Sequence, residues 1–222
     1  MTNHNPQKPV IAILGGTGKE GPGLAMRWAN SGFTVIIGSR QAEKAKVTAA
    51  EINAKLGLES LQGMQNNHAA QRAEISVLTV PFMAHQSTIE SLRDDLYGKI
   101  LVDATARVDF RDPRPPAPPA AARMAQEKLG KSVRVVAAFQ NVPAHALKKN
   151  LDQPVASTVL VCSDDKEAGE RVVQLAKDGG FPAFLAGDLD NAVVVEGLTC
   201  LLISLNRRYG VREAGIEITG LP

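Results

Sequence analysis

The chain has 222 residues, 44% of them hydrophobic, enough for one domain, or one domain and a small lobe, to bury a core without staples. Its net charge of +2 excludes nucleic-acid binding driven by bulk charge, and its two cysteines, Cys162 and Cys200, lie in apolar runs and read as buried free thiols of a reducing cytosol. Four scattered histidines (His4, His68, His85, His145) offer no metal-ligand spacing, no 18-residue apolar stretch predicts a membrane span, and the polar residues 1–8 lack a signal core and are expected to fray. The expectation is a soluble, cytoplasmic protein that binds neither nucleic acid nor membrane.

The first element is an apolar run over 10–14 that ends in Gly15-Gly16-Thr17-Gly18-Lys19-Glu20-Gly21 and is followed by helical spacing at Leu24, Ala25, Trp28 and Ala29. That order predicts a buried strand, a tight turn and a helix, with G-x-G-x-x-G at Gly16, Gly18 and Gly21. Gly16 suits the turn, Gly18 lets a pyrophosphate approach the backbone, and Gly21 lets helix and strand pack closely. The helix N-terminus offers free N–H groups and partial positive charge to phosphates, so Gly16, Thr17, Gly18, Lys19 and Gly21 are candidate cofactor contacts.

A second strand is expected over 33–38, and Ser39 and Arg40 stand at its end. Sites selective for NAD carry an acidic residue there, about 20 positions after the glycines. A hydroxyl and a guanidinium in its place favour the 2′-phosphate of NADP, with Lys44 one helical turn on and Thr17 in the loop as further contacts. A helix over 41–56 ends at Gly57, a short strand covers 61–64, and Asn66 is expected to cap a short helix to Gln71. A fully apolar strand over 75–80 stops at Pro81. Its turn lies where the nicotinamide half of a dinucleotide rests, which makes Thr79, Val80 and Pro81 candidate cofactor contacts and His85 a candidate catalytic group.

Strands over 100–103 and 133–138 follow, separated by residues 107–119, whose five prolines exclude a regular helix or a central strand, and by a helix over 120–129. The proline segment reads as a stiff extended loop, either a lid or a bridge between elements. Gln140 and Asn141, in the polar turn after the last of these strands, are candidates for hydrogen bonds to a ring edge, and Val142, Pro143 and Ala144 for cofactor contact. A strand over 155–162, a helix over 164–177, a strand over 181–185 and a long helix over 191–209 complete the chain. The apolar stripe of that last helix (Val194, Leu198, Leu201, Leu202, Leu205) is wide enough to be covered on more than one side, part of it by a second subunit. The expected fold is α/β: a Rossmann-like, doubly wound, mostly parallel sheet over 9–150 and a smaller α/β lobe over 151–222 that ends in the long helix.

Three sets of residues resemble the F420:NADP oxidoreductases, the NADPH-dependent reductases of the deazaflavin coenzyme F420. The first is Leu14-Gly15-Gly16-Thr17-Gly18 with Gly38-Ser39-Arg40 and Glu43-Lys44-Ala45, and the second is Val77-Leu78-Thr79-Val80-Pro81 with Val142-Pro143-Ala144. The third, near the carboxyl end, is Val195-Glu196-Gly197-Leu198-Thr199 with Asn206-Arg207 and Glu213-Ala214-Gly215-Ile216, an ending that generic dinucleotide enzymes lack. The resemblance implies hydride transfer between C4 of the nicotinamide and C5 of the deazaflavin, no metal, a homodimer, and 2′-phosphate contacts at Thr17, Ser39, Arg40 and Lys44. Gln140 stands where members of the family often carry a histidine beside the deazaflavin. Glutamine donates a hydrogen bond but carries no charge. FMN or FAD is therefore an alternative acceptor, in a flavin or ferric reductase on the same site, and a catalytically silent NADP-sensing module is the alternative of another class. Arg107, Arg111, Lys148, Lys149, Arg207, Arg208 and Arg212 are candidates for guiding an anionic substrate tail.

Overall fold

In a computed structural model, residues 8–221 are described; the expected fraying of 1–8 lies outside them except at Lys8, which donates to the Ser31 carbonyl at 2.6 Å. The first strand β1 (Ile11–Leu14) leads into α1 (Gly21–Asn30), followed by β2 (Val35–Ser39), α2 (Ala42–Leu56), β3 (Gln62–Gln65), α3 (Asn66–Arg72), β4 (Ile75–Leu78) and α4 (Phe82–Ser91). Next come β5 (Ile100–Asp103), α5 (Ala121–Leu129), β6 (Arg134–Ala137), β7 (Val159–Ser163), α6 (Lys166–Asp178), β8 (Ala183–Leu185) and α7 (Ala192–Tyr209).

The strands form one eight-stranded sheet in the order β3-β2-β1-β4-β5-β6-β7-β8. Every pairing is parallel except β6 with β7, where Val136 faces Ser163 and Ala137 faces Cys162. Strands β1, β4 and β5 are buried along their whole length, because helices cover both faces of the sheet and continuous apolar runs meet no water. The strand order reverses between β1 and β4, and a crevice at such a switch point opens beyond the carboxyl ends of the strands.

The boundary expected at 150/151 falls between strands of one sheet. One core cluster joins Trp28 and Val35 from the first half to Val161, Val172 and Phe181 from the second. Phe139 sits at the centre of that junction, its ring edge-on to Trp28 at 5.7 Å and to Phe181 at 5.6 Å.

Helix α7 departs from expectation in its hydropathy. The stretch Leu189–Tyr209, at mean hydropathy 1.4, is long and apolar enough to cross a membrane by composition, although no such stretch was expected. It is nonetheless docked through buried Ala192, Val195, Glu196, Cys200 and Leu202. Glu196 contributes to that docking: its carboxylate accepts from Arg107 Nε at 2.9 Å and from the Ala121 amide, at the start of α5, at 2.6 Å. The proline segment is tied along α7 as well, since Cys200 Sγ lies 3.0 Å from the Arg114 carbonyl and Arg207 donates to that of Arg111 at 3.1 Å. Both cysteines are free and buried.

Candidate active site

The glycine turn is shaped by what lies beneath it. Gly15 adopts φ +72°, and a Cβ there would stand 2.5 Å from Val80 Cγ1, so the loop lies directly on the turn after β4. Sequence reasoning placed the tight turn at Gly16, and Gly15 carries the left-handed backbone instead. A Cβ on Gly21 would meet Gly16 Cα at 2.6 Å, the close helix-to-strand contact expected of the third glycine. At Gly18 an added Cβ would touch only the carbonyl oxygens of Gly15 and Thr79, at 3.5 and 3.8 Å, so the loop backbone is open to an approaching group there.

Asn66 was missed as a site residue. It does not cap α3. Its Oδ1 accepts from the Gly15 amide at 3.1 Å, and it packs so close to Gly38 that a Cβ there would lie 2.7 Å from that oxygen. The side chain therefore ties the glycine turn to the end of β2. An asparagine between a strand and a helix is the sequence mark of a cap, and only the fold reveals the longer reach.

Ser39 ends β2, buried, with Oγ accepting from the Gln41 amide at 3.2 Å. Arg40 and Lys44 are exposed, and among the described residues neither makes an ion pair. Thr17 and Lys44 meet across a depression of about 430 Å³ that Glu43, Val47, Thr48 and Glu51 also line. The hydroxyl and ammonium singled out for the 2′-phosphate thus face one space beside the ends of β1 and β2. Lys19 is exposed on the outer side of the loop.

The nicotinamide side is built on β4, β5 and β6. The Thr79 amide and hydroxyl both donate to the Leu14 carbonyl, at 2.9 and 3.2 Å, which seats Thr79, Val80 and Pro81 beside the glycine turn. His85 is fully buried rather than presented to a ligand. Its Nε2 lies 2.6 Å from Asp103 Oδ2, and its Nδ1 is buried without a partner. Asp103, at the end of β5, also takes the Thr105 amide on Oδ1 at 3.0 Å, and its backbone carbonyl takes Gln140 Nε2 at 2.9 Å. His85 therefore reaches the site only through Asp103. A direct catalytic contact would require exposure that it lacks.

Gln140 and Asn141 are each held by one donated bond, the latter to the Thr158 carbonyl at 2.8 Å. Their Oε1 and Oδ1 acceptors are buried and unpartnered. Such atoms carry a desolvation cost until a donor reaches them. Phe139, just before, holds φ +74°, a strained conformation fixed by its buried ring, which turns the next two side chains off the end of β6. Val142 is buried, and Pro143 and Ala144 are half-buried beside it. Among the described residues no group of acidic, histidine and cysteine side chains is arranged to hold a metal.

Residues 10–107 match the family model described as NADP oxidoreductase, coenzyme F420-dependent. An F420-dependent NADP reductase of Methanothermobacter thermautotrophicus is 43% identical over 224 aligned positions, covering 96% of this chain and 95% of that one. The chain belongs to the F420-dependent NADP reductase family. Among solved structures, a chain from Arthrobacter sp. FB24 assigned to F420-dependent NADP reduction shares the fold, with TM-score 0.80 at 23% identity over 96% of this chain and all of that one. The rat metalloreductase STEAP3 is 31% identical over 89% of this chain but only 38% of its own length, so the likeness to a metal reductase is confined to this one unit.

Proposed function

We propose that this protein transfers a hydride between NADP(H) and coenzyme F420. The observation that carries the reading is the convergence of Thr17 and Lys44 on one depression beside Ser39 and Arg40, in a member of a family of F420-dependent NADP reductases. Two cations without ion-pair partners among the described residues suit a 2′-phosphate, the open backbone at Gly18 suits a pyrophosphate, and the orphaned acceptors of Gln140 and Asn141 suit the N–H groups of a ring edge. The two cofactors supply the redox chemistry, and the protein supplies alignment. Thr79-Val80-Pro81 and Val142-Pro143-Ala144 form the walls that hold the rings face to face. Orientation of this kind contributes about 7–11 kcal/mol to lowering a barrier. Arg107 and Lys149 are engaged by Glu196 and Glu213; Arg207 and Arg212 line a depression of about 320 Å³ at the end of α7, a place from which they would guide an anionic tail.

The protein acts as a homodimer in the cytoplasm on this reading. Val194, Leu201 and Leu205 are exposed at helical spacing along α7, an apolar stripe that a second copy would cover. The test of the activity is stopped-flow oxidation of NADPH against coenzyme F420, FMN and FAD. Rapid turnover with F420 is expected; turnover with FMN and none with F420 would overturn the assignment.

A further inference from the structure

His85 and Asp103 are both shut from solvent, at 0% exposure, and no step of the proposed hydride transfer engages either side chain. Apolar side chains of similar size would fill the same space without desolvating two ionisable groups, so packing alone does not account for the pair.

Its connections run through the carboxyl edge of the sheet. Asp103 Oδ2 meets His85 Nε2 at 2.6 Å, while Oδ1 accepts from the Thr105 amide, two residues on, at 3.0 Å. The second bond is an Asx turn, which redirects the chain as it leaves β5. Both carboxylate oxygens are engaged, and the side chain is held in one orientation. The Asp103 backbone carbonyl accepts from the Ala138 amide at 3.3 Å and from Gln140 Nε2 at 2.9 Å. A carbonyl oxygen only accepts, so it fixes which way the Gln140 amide faces and leaves Oε1 as the free acceptor, buried without a partner. On the other side, the Thr105 hydroxyl reaches toward the Val80 carbonyl at 3.5 Å, and helix α4, which carries His85, starts directly after Pro81. Asp103 thus links the turn after β4 to the turn after β6.

We propose that His85 is a positioning residue for hydride transfer: through Asp103 it holds the Val80-Pro81 turn and the Gln140 amide at the separation that the two rings require. The inference rests on the reading of these turns as the two sides of the reaction site. Reacting carbons must stand about 3–3.5 Å apart, and a displacement of about 1 Å costs roughly 100-fold in rate, so a bond behind the site governs the chemical step. The contacts assigned to the NADP phosphates, Thr17, Gly18, Arg40 and Lys44, belong to the connections after β1 and β2, two and three strands from β5. Affinity for NADPH is therefore independent of the pair.

The experiment is single-turnover stopped flow with NADPH and coenzyme F420, with NADPH fluorescence titration and Tm on the same proteins. The proteins are the wild type, His85→Phe, His85→Gln and the double variant His85→Phe/Asp103→Val. His85→Phe removes the N–H and keeps a ring, whereas His85→Gln keeps an N–H donor for Asp103. The double variant replaces both ionisable groups by apolar ones, so it folds without an unpaired buried carboxylate even where His85→Phe does not. In His85→Phe and in the double variant the hydride-transfer rate is expected to fall about 10- to 100-fold, with the NADPH Kd within about twofold of the wild type, and His85→Gln should recover most of that loss. A slow double variant with an undiminished Tm is the outcome that a merely structural pair would not give. A double variant as fast as the wild type, an equal loss in His85→Gln and His85→Phe, or a Kd that rises in step with the loss of rate would refute the role of His85 and leave the proposed activity standing. Failure of the wild type to pass a hydride to F420 would overturn that activity and this inference together.

Discussion

On the proposed reading, a single side chain sets which dinucleotide the crevice prefers. Arg40 stands where an acidic residue would bind the ribose hydroxyls of NAD, and it has no carboxylate partner among the described residues. A charge-assisted bond contributes about 1.5–3 kcal/mol, so Arg40→Glu should weaken NADPH by roughly 10- to 100-fold or more and NADH far less. Equal losses in fluorescence titrations would remove the 2′-phosphate argument. Gly15 is equally exacting for a steric reason. Gly15→Ala would place a methyl group against Val80 Cγ1 at a backbone angle that alanine disfavours. The expected result is a loss of about 1–3 kcal/mol in chemical denaturation, together with weaker NADPH binding. Ser39, Arg40 and Lys44 were legible in the sequence because the signal is local: a strand end and one helical turn. Asn66 and Asp103 were not, because each acts on residues that the fold brings from elsewhere, Gly15 for one and His85 and Gln140 for the other.

A carboxyl with a buried oxygen stands just before α1 and another in the early turns of α7, and the two are used differently. Glu196 on α7 is paired and bonded to an amide, so removing it strands a guanidinium and frees the proline segment. Glu196→Ala should cost about 2–4 kcal/mol, read as a lower denaturant midpoint at unchanged m, and should open residues 107–119 to limited proteolysis. An intact segment in that assay would show that its other bonds to α7 suffice. Glu20, just before α1, has an Oε1 that is buried without a hydrogen-bond partner among the described residues, and burial raises the carboxyl from 4.5 to about 8. The folded protein then holds a proton that the unfolded chain releases between those values. Its contribution to stability is full below pH 4.5 and is lost as the pH rises toward 8. Calorimetric Tm of the cofactor-free protein should therefore fall between pH 5 and 8.5 more steeply in the wild type than in Glu20→Gln. The helices themselves were readable from spacing and from terminators such as Gly57 and Gly210, both left-handed in the structure. The burial of Glu196 was not, since α7 reads as an apolar stripe and its acid is explained only by Arg107 and Ala121.

At the scale of the molecule, the alternation of strands and helices was enough to expect an open parallel sheet, because buried parallel strands are continuous apolar runs. The direction of β7 was not readable. An apolar strand looks the same either way, and its reversal depends on the long connection after β6. The second copy expected on α7 has its own test. Val194→Asp with Leu201→Asp places two charges on the exposed stripe and should shift sedimentation from dimer to monomer without loss of helix content. A wild-type monomer would remove the dimer from the proposal and leave the hydride chemistry untouched.

The reversal of β7 has a practical corollary for anyone handling the protein. Because β7 runs against β6, its starting residues lie at the ligand edge of the sheet, where Asn141 donates to the Thr158 carbonyl. The last stretch of chain is threaded onto the same residue: the Thr158 amide donates to the Ile216 carbonyl at 2.7 Å, and the Ile218 amide to Thr158 Oγ1 at 3.1 Å. An affinity tag fused after residue 222 would therefore pull on a lace whose other end holds Asn141, while a tag at residue 1 joins the chain ahead of β1, whose start faces the opposite rim of the sheet.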